Sequence, residues 1–177
     1  MRQLAIITLL TALAIQPALA QAPAAIPEAM PFDIPYGTPI TLDDAQKVIA
    51  AAVAEAKSHN WKMSVAVVDP SGHLVAHATM DGTQYGSVSF SQAKARTSAN
   101  FRRPSKVFAD VINGVNGTPS PATLSVLMGN HGAASEGGFP ILKDGKLIGA
   151  IGASGGIATQ DGVTAKAGLA AIGATAP

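Results

Sequence analysis

Two tight turns, each flanked by short apolar segments, constrain the fold of this 177-residue chain more than any other feature. Residues 69–72 read Asp-Pro-Ser-Gly, with proline at the turn position whose φ it presets, and residues 143–146 read Lys-Asp-Gly-Lys, in which Asp-Gly is a strong hairpin signal. The sequence therefore predicts two β-hairpins, whose strands are expected at residues 63–68, 73–79, 139–142 and 147–153. Hairpins make antiparallel neighbours, which excludes the alternating strand–helix order of a doubly wound parallel sheet.

Helical signals surround the two hairpins. Thr41 and Asp44 match a capping box, and apolar residues then recur at helical spacing. A later helix must end before Pro104, and Ser105 is expected to cap the helix that follows. The expected helices cover about 41–58, 87–101, 107–112, 121–128 and 159–172. The sequence therefore predicts an α+β fold, a single three-layer α/β/α-like domain whose antiparallel sheet of about five strands is flanked by helices.

The N-terminus has the pattern of a secretory signal peptide. Arg2 precedes an uncharged, mostly apolar run that ends in the Ala-Leu-Ala of residues 18–20, and this run is shorter than the roughly 20 apolar residues of a membrane span. Cleavage is expected after Ala20, which predicts a periplasmic or secreted protein with no membrane span after cleavage. Residues 21–40 carry a proline at every fourth position, so we expect an extended arm that is disordered or wraps a neighbouring subunit, joined to a domain over residues 41–177.

Composition excludes several classes of function. Basic and acidic residues nearly balance at 12 and 11, and only 13% of residues are charged, which argues against a nucleic-acid partner. Cysteine is absent, so thiolate nucleophiles, thiolate haem ligation and cysteine zinc sites are excluded. Alanine supplies much of the 47% hydrophobic content, and 18 residues are glycine. Because such a core has few large side chains, we expect subunit contacts to supply part of the burial.

Lys94 and Thr97 are the first candidate ligand-binding residues. They share one face of the second predicted helix with Phe90 and Phe101, at positions i, i+4, i+7 and i+11. A lysine aligned with two phenylalanines either extends along the edge of the core with its ammonium in water or faces a pocket. In the second case the ammonium and hydroxyl groups would hold a carboxylate or a propionate.

Three further segments supply candidate ligand contacts. Gly137 and Gly138 permit close approach of the backbone to a ligand, or they form a bulge that opens a strand. Asp81 follows a predicted strand and either contacts a ligand or caps the next turn. His131 lies before a glycine-rich bend and is the histidine best placed to reach a ligand, although a surface loop residue fits the same position. The four histidines lack the spacing of a metal site.

Residues 152–156 read Gly-Ala-Ser-Gly-Gly and fit the G-x-S-x-G pattern of a serine hydrolase. In that fold the histidine base follows the nucleophile, but no histidine follows Ser154 in this sequence. We therefore interpret the segment as a tight turn from a strand into a helix, and we predict no catalytic residue.

Taken together and in order, these segments resemble the GlcG/HbpS family, a haem-binding-protein-like domain also found at the C-terminus of some PduO proteins. The resemblance implies an antiparallel sheet flanked by helices, assembly into homo-oligomers (octamers for some exported members) and haem binding in several members. It fixes no iron ligand, and His131 is our candidate because of its loop. Thr79 and Gly162 replace charged residues that the family usually has. The matching segments are residues 67–75, 80–82, 94–98, 137–141, 148–156 and 160–161.

The leading hypothesis is an exported homo-oligomer that binds haem without catalysis, for uptake or sensing. A second hypothesis is an enzyme or a binding protein for a small organic acid or aldehyde, using Lys94, Asp81 and the backbone of Gly137 and Gly138. A third is a regulatory partner of a membrane sensor or transporter. The ligand-binding hypotheses require the lysine-bearing helix face and the glycine pair to border one cleft.

Overall fold

The computed structural model describes residues 26, 28–115, 117 and 119–177, so the predicted signal peptide lies outside the described residues. The regular elements lie in one compact unit, Pro31–Pro177. In chain order they are α1 (Leu42–Ser58), β1 (Ser64–Val68), β2 (Leu74–Thr79), α2 (Gly86–Phe101), α3 (Lys106–Asn113), α4 (Ala122–Gly129), β3 (Gly138–Lys143), β4 (Lys146–Ser154) and α5 (Ala158–Ala170). None of the helices described here is long and apolar enough to cross a membrane.

The sheet is antiparallel throughout and has the strand order β2-β1-β4-β3. Both predicted hairpins are confirmed, β1 with β2 and β3 with β4, and the central pairing of β1 with β4 joins them. The predicted count of about five strands is too high, since the described residues form four. Tyr36 adds only an isolated bridge, to Leu147. Pro35 and Pro39 lack an N–H donor, so the segment around Tyr36 cannot continue a ladder.

Helices cover both faces of the sheet, which gives the predicted α+β domain. Val65 and Val67 of β1 point toward α1 and α5, whereas the alternate residues Ala66 and Val68 point toward α2. This alternation follows from the two-residue period of a strand. The larger core lies on the α1 side. Its buried members include Val48, Ala52, Met63, Ile141, Ile151 and Leu169.

Helix α2 packs very close to the sheet because two glycines face it. Gly138 of β3 and Gly152 of β4 lie opposite each other in the ladder. A methyl group on Gly152 would overlap the backbone oxygen of Ser91, and one on Gly138 would overlap the backbone oxygen of Lys94. The close contact buries the middle of α2 against the strands, so that even its polar side chains lose contact with water. The buried polar residues of α2 include Ser87, Ser91, Lys94, Thr97 and Ser98.

The predicted helices are all present, but one predicted cap is wrong. The hydroxyl of Thr41 accepts a hydrogen bond from the Asp44 N–H at 3.2 Å and begins α1, as the capping pattern indicates. The hydroxyl of Ser105 does not cap α3. It donates to the carbonyl of Ser135 and accepts from the N–H of Gly138 at 2.9 Å. The Ser105 hydroxyl therefore bonds to residues that are distant in sequence and not to the N–H groups of its own helix.

The proline-rich arm packs on the sheet of its own domain from residue 35 onward. The N–H of Leu147 donates to the Pro35 carbonyl, and the N–H of Gly37 donates to the Leu147 carbonyl, both at 2.8 Å. The N–H of Ile40 donates to the Ile148 carbonyl at 2.7 Å. Strand β4 begins before the segment that pairs with β1, so its first residues need other partners for their backbone groups. The arm supplies those partners.

Gly152→Ala is expected to destabilise the fold, because a side chain at this position overlaps the backbone of α2 and forces the helix away from the sheet. Overpacking of this kind costs about 1–3 kcal/mol of the free energy of unfolding, which urea denaturation measures. Gly86→Ala is the control, since an added methyl group there meets no atom within 4 Å beyond its own helix backbone and chain neighbours. The control is expected to be neutral or slightly stabilising. An equal loss in both variants would contradict the close-packing explanation.

Candidate functional site

The centre of the candidate site is a buried ion pair between Lys94 and Asp161. Lys94 Nζ lies 2.6 Å from Asp161 Oδ2, and the two side chains are 0% and 4% exposed. The ammonium also donates to the Ala153 carbonyl at 3.2 Å and lies 4.9 Å from the centre of the Phe90 ring. The sequence left open whether Lys94 reaches water or faces a pocket. The structure gives it an internal partner instead.

Three elements position this ion pair. Lys94 lies in the middle of α2, Ala153 is near the end of β4, and Asp161 is in the first turn of α5. The other carboxylate oxygen, Asp161 Oδ1, accepts a hydrogen bond from the Gly156 N–H at 3.0 Å. A carboxylate in the first turn of a helix also interacts favourably with the helix dipole. The pair therefore connects α2 and α5, two helices that lie on opposite faces of the sheet.

Burial changes the titration of both groups. Removal from water lowers the pKa of Lys94, and the neighbouring Asp161 carboxylate opposes that change. Removal from water likewise raises the pKa of Asp161, opposed by Lys94 and by backbone N–H groups at the start of α5. Each group favours the charged form of the other, because the two lie within hydrogen-bond distance. An external anion would have to displace Asp161 to bind Lys94.

Gly137 and Gly138 allow the backbone to pass close to this ion pair. Gly137 has a φ of +118°, a conformation that favours glycine, and a methyl group there would lie 2.6 Å from the Ala153 oxygen and 3.0 Å from Lys94 Nζ. Gly138 lies beneath α2, as described above. The structure therefore brings Lys94, Gly137 and Gly138 together, but in direct contact. The ligand cleft that the sequence led us to expect between them is filled by their own packing, so a ligand site in this protein must use other residues.

Thr97 and His131 are connected through the loop that follows α4. The hydroxyl of Thr97 donates to the Ala93 carbonyl at 2.9 Å and accepts from the Ala133 N–H at 2.8 Å. Thr97 is buried, whereas His131 is exposed and has a φ of +51°. Backbone groups therefore occupy the hydroxyl of Thr97. The side chain of His131 lies on the surface, next in sequence to Asn130.

Asp81 is not part of the Lys94 cluster. It follows β2 and lines a separate cavity of ≈ 340 Å³ together with Lys57, Lys62 and Met80. Asp81 and the two lysines are all exposed. The cavity contains one negative and two positive groups, all in contact with water. Because water screens these charges and they partly cancel, the cavity is expected to attract an anion only weakly.

A second buried polar cluster was not indicated by the sequence. Ser64 Oγ lies 2.8 Å from His77 Nε2, 3.1 Å from Thr79 Oγ1 and 3.2 Å from Ser91 Oγ. Burial lowers the pKa of His77, which favours the neutral ring. These residues come from two strands and a helix, so only the strand register reveals that they meet. Ser64 is fully buried, whereas His77 is half-buried, so the hydroxyl of this pair is not exposed to a substrate.

The other histidines are dispersed. His59 Nε2 lies 3.0 Å from Glu55 Oε1, and the ring of His59 stacks on Trp61 with 4.2 Å between the ring centres. His73 Nδ1 lies 3.4 Å from a carboxylate oxygen of Asp69. In the part of the chain that the structure describes, no group of three or more His, Cys, Asp or Glu residues is placed to hold a metal ion.

Tyr36 borders two clefts, and the sequence did not indicate it. One cleft has a volume of ≈ 620 Å³ and the other ≈ 700 Å³, and Gly37 and Pro39 also border both. Tyr36 is 57% exposed, and the guanidinium of Arg102 lies 5.5 Å from the centre of its ring. The smaller cleft, called the tyrosine cleft below, is lined by Tyr36, Gly37, Pro39, Asp69, Pro70, Ser71, Asn100, Phe101 and Asn130. The larger cleft includes Lys143 and Lys146.

The fold and the site together define a class of small α+β domains, in which a four-stranded antiparallel sheet lies between helices that a buried lysine–aspartate pair connects. The family model described as haem degrading protein HbpS-like matches residues 40–170, and the chain belongs to this family. The resemblance to the GlcG/HbpS family that the sequence segments suggested is therefore confirmed.

Individual relatives agree with this assignment. The chain is 40% identical to Protein GlcG of Escherichia coli strain K12 over 110 residues, which cover 62% of this chain and 77% of GlcG. A crystal structure of a double mutant of HbpS from Streptomyces reticuli has a TM-score of 0.68 and 29% identity, covering 85% of this chain and 99% of that one. A crystal structure of a PduOC:heme complex has a TM-score of 0.71 and 24% identity, covering 78% of this chain and 99% of that one. At that identity the likeness to PduOC shows the fold alone.

Lys94→Met is expected to destabilise the protein strongly, because it leaves the Asp161 carboxylate buried without its cation. Loss of one partner of a buried pair costs about 3–5 kcal/mol of the free energy of unfolding. The double variant Lys94→Met with Asp161→Asn is expected to be more stable than Lys94→Met alone, since no charge then stays buried and the amide oxygen still accepts from Gly156. Urea denaturation of the wild type, both single variants and the double variant measures the coupling. Strictly additive losses would contradict direct pairing.

Proposed function

We propose that this protein is an exported haem-binding protein that takes up haem without catalysis, for uptake or sensing, and that works as a homo-oligomer. Membership of the HbpS-like family carries the haem part of this proposal, because the family is described as haem degrading protein. Binding without catalysis is our own addition to that description, and the titration below tests it. A second point supports haem binding: PduOC, which has the same fold, was crystallised with heme.

The chemistry of the tyrosine cleft fits a haem group. Its volume of ≈ 620 Å³ lies within the range of about 300–1,000 Å³ that is usual for small-molecule sites. Phe101 and two prolines form the apolar part of its lining, beside the polar side chains of Asp69, Ser71, Asn100 and Asn130. Tyr36 offers a phenol oxygen, a donor that ligates haem iron in some proteins. Lys143 and Lys146 in the adjoining cleft provide positive charge for the two carboxylates of haem. Bound haem would supply an iron centre that accepts ligands or electrons.

The side chains that a serine hydrolase or a Schiff-base enzyme would use as nucleophiles are enclosed, which argues against those two classes of catalysis. Ser154, the serine of the G-x-S-x-G pattern, is 4% exposed, and its hydroxyl lies 3.4 Å from that of Ser87. Ser64 meets His77 in the buried cluster described above. Lys94, which an enzyme for a carboxylic acid or aldehyde would use, is occupied by Asp161. No observation favours the organic-acid hypothesis over haem binding.

Apolar side chains on the surface support assembly into a homo-oligomer. On α4, Leu124, Val126 and Met128 are 45%, 54% and 69% exposed, and Val115 near the end of α3 is 62% exposed. Apolar side chains exposed together on one element favour protein contacts. Strand β2 also lies at an edge of the sheet, with backbone groups on one side that no neighbouring strand of the sheet pairs.

Titration of the purified mature protein with hemin is expected to give a saturable shift of the Soret band, because the cleft removes the porphyrin from water. Light scattering in the same buffer is expected to give a mass that is a multiple of the protomer mass. Hen egg lysozyme, which has no haem site, serves as the reference for weak, non-specific uptake. A spectrum that matches free hemin, or uptake no stronger than that of lysozyme, would disprove haem binding. Bleaching of the bound spectrum after addition of ascorbate in air or of hydrogen peroxide, faster than the bleaching of free hemin, would disprove the non-catalytic part.

Export predicts a mature chain that begins at Gln21. The measurement is the intact mass of the protein recovered from the periplasm or the medium. Ala20→Arg is expected to block cleavage, because the peptidase site requires small residues, and to leave the full-length chain associated with the membrane. Ala22→Ser, on the other side of the cleavage site, is the matched control and should be processed normally. Recovery of an uncleaved wild-type chain from the cytoplasm would contradict export.

A further inference from the structure

We propose that the phenol oxygen of Tyr36 is the ligand of the haem iron, with the tyrosine cleft as the binding site. This assignment depends on the proposed haem-binding function and makes it specific, since it replaces the sequence-based candidate His131 with a different side chain on a different element. Ligation requires the phenol to release its proton to solvent as the oxygen lone pair binds ferric iron, so no oxidant or reductant is needed.

The lining of the tyrosine cleft restricts the choice of ligand. Haem iron in proteins is bound by histidine, cysteine, methionine or tyrosine side chains. Of these, only Tyr36 is among the residues that line the cleft. The lining also includes a carboxylate, Asp69, but one of its oxygens already accepts hydrogen bonds from the N–H groups of Ser71 and His73, at 2.8 and 3.0 Å. Tyr36 is therefore the side chain in this lining that can ligate the iron of a haem bound in the cleft.

Tyr36 is held in place before any ligand binds. The residues on either side of it, Pro35 and Gly37, both bond to the backbone of Leu147 in β4 at 2.8 Å. An added methyl group on Gly37 would lie 3.0 Å from the Cβ of Lys146, so the arm packs tightly against the start of β4. The Tyr36 side chain nevertheless stays 57% exposed. A fixed backbone with an accessible phenol is the arrangement that a preorganised ligand needs.

Positive charge lies near Tyr36. The guanidinium of Arg102 lies 5.5 Å from the centre of the Tyr36 ring and donates to the Ile34 carbonyl at 2.8 Å. Its contact with the exposed Asp33 is long, at 3.5 Å. Lys143 and Lys146 line the adjoining cleft, which Tyr36 also borders. An iron ligand with cations nearby matches a ferric porphyrin that carries two carboxylates.

The histidines are less suitable than Tyr36. His59 and His73 lie next to the carboxylates of Glu55 and Asp69. His77 lines a separate, mainly apolar cavity of ≈ 500 Å³, but its Nε2 lies 2.8 Å from Ser64 Oγ and is therefore already in contact with an internal partner. His131 is exposed and follows Asn130, a lining residue, but is not itself part of the lining. If His131 contacts the ligand, it does so from the rim of the cleft.

The chain contains two tyrosines, which allows a matched experiment. The second, Tyr85, is 95% exposed just before α2 and lines neither cleft. Full mature protein is titrated with ferric hemin and followed by visible absorption and resonance Raman spectroscopy, as wild type, Tyr36→Phe, Tyr85→Phe and His131→Ala. The wild type is expected to show the phenolate-to-iron charge-transfer band and the Raman modes of an iron-bound phenolate.

Tyr36→Phe is expected to lose both phenolate signatures and to bind hemin about tenfold more weakly or worse, a change of about 1.4 kcal/mol. Tyr85→Phe and His131→Ala are expected to keep them. Urea denaturation confirms that Tyr36→Phe is folded, since the ring and its packing are retained. Unchanged signatures in Tyr36→Phe, or their loss in His131→Ala alone, would overturn the assignment. Saturable hemin binding by the wild type without phenolate signatures would also overturn it and leave the proposed function standing, whereas no binding by the wild type would overturn both.

Discussion

The rest of the structure depends on one buried charge pair. An ammonium group with no access to water needs a carboxylate and further oxygen acceptors within reach, and Lys94 has Asp161 at 2.6 Å and the Ala153 carbonyl at 3.2 Å. This requirement constrains the connection between β4 and α5, because one acceptor lies near the end of β4 and the other in the first turn of α5. It also explains Gly137, since a side chain there would occupy the space of the ammonium. The contact joins helices on opposite faces of the sheet, so its effect extends across all three layers.

The same pairing determines which surfaces remain for a ligand. Lys94, Thr97 and Gly138, which the sequence suggested as ligand contacts, use their polar groups inside the protein. The structure leaves an accessible aromatic donor with cations near it along the arm, where Tyr36 separates two clefts. Side chains that pack the interior and side chains that are accessible to a ligand thus lie in different parts of this small domain. In this chain the buried motifs hold the sheet and helices in place, and the arm provides the surface where ligand contacts are available.

The sequence predicted what depends on neighbouring residues and missed what depends on distant ones. A turn depends on the φ and ψ preferences of its own few residues, so the two hairpins with turns at residues 69–72 and 143–146 were correctly predicted. Lys94 and Asp161 are 67 residues apart, and no periodicity connects them. The helical face of Lys94 was identified, but its partner was not. Ser64 and His77 likewise meet only through the register of two strands, and Ser105 appeared to be a cap because its bond to Gly138 is not local. Tyr36 was missed because prolines around it indicated a detached arm.

The arm shows why prolines do not by themselves indicate a detached segment. Proline removes a donor but keeps its carbonyl, and Pro35 uses that carbonyl to accept from Leu147. One proline acceptor, followed by the ordinary donors of Gly37 and Ile40, can therefore satisfy the end of a longer strand without forming a ladder. Such an attachment is short, and it leaves the side chain between the two bonded residues free to point away from the sheet. Tyr36 occupies this position. The prolines that prevent the arm from becoming a fifth strand therefore also leave this aromatic side chain exposed on a backbone that is held in place.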